Sequence, residues 1–109
     1  MSELANKKCV PCEGGTLPVS EKYAREHLKK VGGPWELAGG QIMAVYTFKD
    51  FSESMSFVNK VAHIAEEQGH HPDISISYNH VELLLTTHAI GGLSENDFIV
   101  AAKINALAP

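Results

Sequence analysis

The sequence predicts an α+β sandwich, with antiparallel hairpins backed on one face by helices. Three observations carry this. Stretches with helical spacing of apolar residues alternate with pairs of short β-rich runs, in the order α-β-β-α-β-β-α. Each pair of runs is joined by a short turn, at Gly39-Gly40 and at Asn79-His80. The chain has 109 residues, no internal repeat and no low-complexity tract, so residues 1–109 are read as one domain.

Met1 to Pro18 lacks periodicity and carries Gly14, Gly15 and Pro18, which reads as a loosely packed N-terminal arm spanning residues 1–18. It holds both cysteines, Cys9 and Cys12, in a Cys-x-x-Cys arrangement. Two thiolates do not complete a structural zinc site, which wants four ligands. A thioredoxin-like pair would open a helix, whereas this one runs into Glu13-Gly14-Gly15. A reduced pair in a loose segment is the favoured reading. A redox pair, or zinc shared with histidines or a second subunit, are the alternatives.

Ser20 is the expected N-cap of the first helix. Ala24, His27, Leu28 and Val31 share one side of it, and Gly32-Gly33 ends it. His27 lies beside the apolar side and is read as a packing residue. Pro34 opens a short strand, Trp35 to Leu37, with Trp35 as a core or interface anchor. Gln41 to Phe48, rich in Val, Tyr, Thr and Phe, forms the second strand.

Asp50-Phe51-Ser52-Glu53 has the spacing of a capping box, so the central helix starts there. Phe51, Met55, Val58, Ala62 and Ala65 make one apolar row, and Phe57, Val61 and Ile64 make a second. Together they form an arc wider than a single core-facing stripe. Deep burial or a subunit contact would use it. Gly69 supplies the left-handed residue that ends a helix, and Pro72 pushes His71 into an extended conformation.

Ile74 to Tyr78 alternates apolar and polar residues, and Val81 to Thr87 is again strand-like. A two-residue turn at Asn79-His80 would pair Tyr78 with Val81, Ile76 with Leu83, and Ile74 with Leu85. The same count sets Asp73 opposite Thr86 and His71 opposite His88, at Cβ separations of roughly 4.5–5.5 Å. His70 is adjacent, and Glu66 lies one helical turn earlier. Three of the six histidines therefore converge. Imidazole exchanges protons near neutrality, and clustered rings drive each other's pKa values apart, so such a pocket can hold an acid and a base. A single histidine on such a face is ordinarily solvated surface; three at a helix stop point to a site. After His88, the loop Ala89-Ile90-Gly91-Gly92-Leu93 leads to Ser94, which can cap the last helix with Asp97 at its third position. Phe98, Ile99, Ala102 and Leu107 supply that helix's apolar side.

Composition narrows the classes of function. Apolar residues make up 44% and charged residues 20%, the net charge is −4, and there is no basic run, which argues against general nucleic-acid binding. No apolar stretch approaches the roughly 20 residues of a membrane span, and no signal peptide is evident, so the expected location is cytoplasmic.

His70-His71-Pro72, Tyr78-Asn79 and Thr87-His88 at these spacings resemble the pterin-4a-carbinolamine dehydratases. So do Trp35, Phe48-Lys49-Asp50-Phe51 and the segment from Gly91 to Phe98, and the similarity runs from about Ser20 to the C-terminus. The resemblance implies four strands in one antiparallel sheet with three helices on one face. It implies dehydration of 4a-hydroxytetrahydropterin to the quinonoid dihydropterin, a hydro-lyase step in tetrahydropterin recycling for aromatic amino acid hydroxylases. That chemistry is general acid–base work needing no metal and no organic coenzyme. By position, His70 and His88 would be the acid–base pair and His71 would orient the pterin. Glu66 and Asp97 would support the rings. Gly69, His70, His71, Pro72, Thr86, Thr87, His88 and Ala89 would contact the substrate. A homodimer or homotetramer is implied as well. Two departures stand out: Ile74 where animal members carry tryptophan, which removes a flat wall beside the pterin, and Gly69 where many members are acidic or polar. The main alternative is a non-catalytic dimerisation or assembly cofactor of the same fold, using the wide arc of the central helix. A metal site on His70, His71 and His88 is a third reading.

Overall fold

The computed structural model describes residues 3–9 and 17–107. Its elements are α1 (Glu21–Val31), β1 (Glu36–Ala38), β2 (Gln41–Thr47), α2 (Phe51–Gln68), β3 (Asp73–Ser77), β4 (His80–Leu85) and α3 (Glu95–Asn105). The predicted order is borne out. All four strands form one antiparallel sheet in the order β1-β2-β4-β3, which makes β2 and β4 central and β3 an edge.

Local signals set the helix boundaries. The Ser20 hydroxyl accepts from the Tyr23 N–H at 3.1 Å, capping α1. At α2 the Asp50 carboxylate accepts from the Glu53 N–H at 2.9 Å, and the Glu53 side chain reaches back to the Lys49 N–H at 3.1 Å. This is the expected box with its return bond displaced by one residue. At α3 the Asp97 carboxylate accepts from the Ser94 N–H at 2.9 Å.

The core lies between the sheet and the helices. Ile42, Ala44 and Tyr46 from β2 and Val81, Leu83 and Leu85 from β4 point into it. From α2 come Phe57, Val58, Val61 and Ala65. The outer end of the predicted arc stays open: Phe51 is 51% exposed, Ala62 is exposed, and Met55 and Ile64 are half-buried. The third helix is buried almost all round, from Asn96 through Ala102 and again at Ile104. Its end is tied through Asn105 to β2, to the end of α1 and to Trp35 just before β1. That amide oxygen accepts from the Trp35 indole at 3.0 Å and the Tyr46 hydroxyl at 3.2 Å, and its nitrogen donates to the carbonyls of Val31 and Gly32. Trp35 is thus the anchor the sequence suggests. His27 packs as expected, its ring stacked 3.7 Å from that of Tyr23.

Two expectations are corrected. The β3–β4 turn is Tyr78-Asn79, not Asn79-His80, and the register slips by two residues: Ile76 pairs with Val81, Ile74 with Leu83, and Asp73 with Leu84. The reason lies outside the hairpin. Asn79 is held by the β2–α2 connection, its side chain donating to the Phe48 carbonyl at 3.0 Å and its own carbonyl accepting from the Phe48 N–H at 2.8 Å. The positive φ then falls on Tyr78, at 52°. A slip of two preserves which face each residue occupies. Ile74 and Ile76 stay on the core side, but at the sheet edge Ile76 is 38% exposed, and Tyr78 in the turn is 64% exposed.

The arm is the second correction. Over residues 3–9 it is docked rather than loose: Glu3–Asn6 forms a 3₁₀ turn and Leu4 is 4% exposed in the core. Cys12, Gly14 and Gly15 lie outside the described residues.

Candidate functional site

The site begins where α2 ends. Gly69 adopts φ 65°, the left-handed conformation that suits glycine, and turns the chain so that the His70 N–H bonds back to the Ala65 carbonyl at 3.1 Å. This fixes the His70 backbone against the helix it follows. Its ring runs inward to the first turn of α3, where Nε2 lies 2.5 Å from Asp97 Oδ1.

Asp97 is fully buried, yet every one of its contacts is a donor. Beyond His70, its second oxygen accepts from the Thr87 hydroxyl at 2.8 Å and the Ser94 N–H at 2.9 Å. Thr87 has a single hydroxyl proton, which goes to Asp97. The 2.7 Å contact between Thr87 and Ser94 is therefore donated by Ser94. A carboxylate at a helix N-terminus is also favoured by the helix dipole. Since the carboxylate accepts only, His70 Nε2 carries the proton in this bond, and in the neutral ring Nδ1 holds the lone pair. The His70 side chain is 12% exposed.

His71 is more open. Its Nε2 lies 3.3 Å from Glu66 Oε1, with side chains 58% and 80% exposed, an arrangement that orients more than it stabilises. His88 is exposed at the start of the 3₁₀ turn His88–Ile90. That turn sits in a loop closed by the Thr87 N–H donating to the Gly92 carbonyl at 2.9 Å.

A cavity of about 510 Å³ lies between these elements, within the range of small-ligand sites. All three proposed catalytic histidines line it, together with Gly69, Thr86, Thr87 and Ala89. Pro72 is buried outside the lining, and Asp97 and Glu66 touch it only through His70 and His71. Ile74 is not among the lining residues either. The histidines do not meet by the predicted route. β3 begins at Asp73 and β4 ends at Leu85, so His71 and His88 are not ladder partners. The helix stop and the loop after β4 deliver them to one cavity instead. The reading of His70, His71 and His88 as a metal site finds no support: among the described residues, no group of three or more potential metal ligands is positioned to hold an ion. Sequence reasoning missed Cys9, Gln68 and Asn96, which complete the lining. It also gave no sign that the Thr87 hydroxyl stands behind Asp97.

Three imidazoles around a cavity, one of them backed by a buried carboxylate, on a four-stranded sheet with three helices: this is the class of protein that fold and site define together. The chain belongs to the pterin-4a-carbinolamine dehydratase family, since the sequence model described as "Pterin 4 alpha carbinolamine dehydratase" matches residues 17–107. A protein of Nitrosomonas eutropha, provisionally named a pterin-4-alpha-carbinolamine dehydratase, is 47% identical over 96% of this chain and 93% of its own length. Pterin-4-alpha-carbinolamine dehydratase 2, mitochondrial, of Arabidopsis thaliana is 44% identical over 98% of this chain and 60% of its own. Among solved structures, a transcriptional coactivator/pterin dehydratase from Brucella melitensis superimposes with a TM-score of 0.79 at 33% identity, covering 84% of this chain and 99% of that one. A pterin dehydratase-like protein described as a RuBisCO assembly factor in the alpha-carboxysome shares the fold, with a TM-score of 0.59 at 23% identity over 72% and 93% of the two chains. Among the described residues, no helix is long and apolar enough to cross a membrane.

Proposed function

We propose that this protein dehydrates 4a-hydroxytetrahydropterin to quinonoid dihydropterin by histidine acid–base catalysis. The observation that carries the reading is the pairing of His70 with the fully buried Asp97 carboxylate at the wall of the cavity. The reaction breaks the C4a–O bond as an acid protonates the leaving oxygen. A base takes the N5 proton, and the N5–H electron pair becomes the N5–C4a double bond. Water leaves, and no oxidant or metal enters the balance. His70 suits the base, because its Nε2–H is committed to Asp97, and the carboxylate stabilises the imidazolium formed when Nδ1 takes a proton. Exposed His88 suits the acid and regains its proton from solvent. His71, steadied by Glu66, orients the ring, and Thr86 and Thr87 border it. The product would serve tetrahydropterin recycling for an aromatic amino acid hydroxylase in the cytosol.

A stopped-flow assay with enzymatically generated 4a-hydroxytetrahydropterin tests this. Wild-type protein is expected to accelerate dehydration, and His88→Ala to lose most of the acceleration. Equal rates with and without wild-type protein would remove the reading.

One observation favours a second role. Phe51, 51% exposed, together with Ala62 and half-buried Met55, leaves an apolar strip of α2 open. Self-association into a dimer or tetramer, or docking of another protein, would cover it. The assembly-factor and coactivator descriptions of the two structural relatives fit such a role. Sedimentation velocity on wild type and Phe51→Glu separates the cases. An oligomer that dissociates in the variant assigns the strip to self-contact, and a monomer in both removes self-contact.

A further inference from the structure

We propose that the docked arm, Leu4 to Cys9, is a built wall of the cavity, and that Cys9 is a specificity-determining position for the pterin that fills it. The inference rests on the dehydratase reading and adds a residue that lies before the family match, which begins at residue 17.

The arm is fastened along its length. Leu4 is sunk in the core, the Ala5 carbonyl accepts from Lys103 Nζ at 2.8 Å, and Lys7 meets Glu95 at 3.1 Å. The Lys7 pair is exposed and adds little. The Leu4 anchor and the Lys103 bond bind the arm to the buried helix α3. At the far end the Cys9 N–H donates to Gln68 Oε1 at 2.9 Å, while Cys9 Sγ lies 3.7 Å from the Asn96 carbonyl. Gln68 is the last residue of α2, immediately before Gly69 and His70, and Asn96 stands in the first turn of α3, next to Asp97. The arm therefore bridges the two elements that hold the His70–Asp97 pair. Cys9, Gln68 and Asn96 all line the same cavity as His70 and His88.

Two consequences follow. The Cys9 backbone bond, the Lys103 bond to Ala5 and the sunken Leu4 fasten the arm beside the thiol's own contact with Asn96, so the arm is expected to stay docked when the side chain at position 9 changes. A small thiol leaves the cavity open at this point, whereas a large side chain would fill it. Position 9 thus controls which occupants fit, and it leaves proton transfer to the histidines. The expected signature is a change in KM with kcat largely preserved.

The test uses the full chain in a Cys12→Ser background, so that one thiol reports. Alkylation of Cys9 by iodoacetamide, under reducing conditions, is followed with and without a saturating reduced pterin that lacks the 4a-hydroxyl. Equilibrium dialysis confirms that the pterin binds. Alkylation is expected to slow at least fivefold when the cavity is filled. In parallel, Cys9→Trp is expected to raise KM at least tenfold, with kcat within threefold of wild type. Leu4→Ser, which removes the arm's buried anchor, is expected to lose the protection while still binding pterin. Either protection or the KM rise sustains the proposal. Pterin binding with neither effect overturns it and leaves the dehydratase reading intact. Absence of pterin binding by the parent protein sinks that reading, and the proposal with it.

Discussion

At the scale of single residues, the site separates two histidines by burial. Both His70 and His88 line the cavity, and either replacement should remove a proton-transfer group worth about 10²–10⁴-fold in turnover. Their effects on folding should differ. His88 is exposed, so His88→Ala is expected to shift stability by less than about 0.5 kcal/mol. His70→Ala strips the partner from a fully buried carboxylate, a change of about 3–5 kcal/mol at neutral pH. His70→Gln keeps an N–H for Asp97, so it should recover much of the stability and little of the turnover. Urea denaturation of the three variants, beside stopped-flow rates, checks both halves. Equal stability of His70→Ala and His88→Ala would mean that Asp97 does not depend on the ring beside it. This contrast was only half legible in the sequence. The spacing pointed to the histidines, but Asp97 already had an ordinary capping role there. Nothing local showed that its other oxygen faces His70 from 27 positions away.

At the scale of elements, the helix ends marked by local residue types were read correctly, and the hairpin register, which depends on a distant contact, was not. The span of α2 is fixed by Asp50 at one end and Gly69 at the other, both visible as residue types. The β3–β4 turn moved by one residue because Asn79 answers to Phe48, 31 positions earlier, and no hairpin rule includes that contact. The third helix was expected to have one apolar side, yet Asn96 and Asp97 are buried along with its apolar residues. Polar residues inside a helix face read as solvent-facing unless their partners are known. Asn105 is the clearest case. It holds the end of α3 to Trp35, to Tyr46 and to the last carbonyls of α1. Asn105→Ala would leave several of these groups unpaired, at a cost of about 2–4 kcal/mol. Because Asn105 is absent from the cavity lining, kcat/KM at 20 °C should stay within about twofold. Denaturant unfolding and the dehydration assay together check this. A large loss of activity in a folded variant would mean that the α3 terminus reaches the site.

At the scale of the whole molecule, the same network sets a limit on alkaline stability. Burial pushes the Tyr46 phenol up from 10.0 to about 12, although the nearby Trp35 indole pulls the other way. In the unfolded chain the phenol ionises at its ordinary value, so between pH 10 and 12 the unfolded state has lost a proton that the folded state retains. Stability from this group is fully present below pH 10 and is lost as pH rises through 12. The chain already carries a net charge of −4, and further ionisation adds self-repulsion in the same direction. The expected result is a fall in Tm that steepens above pH 10, with part of the phenolate absorbance appearing only as the protein unfolds. Tyr46→Phe isolates the group. It should be less stable than wild type at pH 8, having lost the hydroxyl's bond to Asn105, yet its Tm should fall less between pH 10 and 12. Parallel slopes for the two proteins across that window would show that Tyr46 is not what limits the fold in alkali.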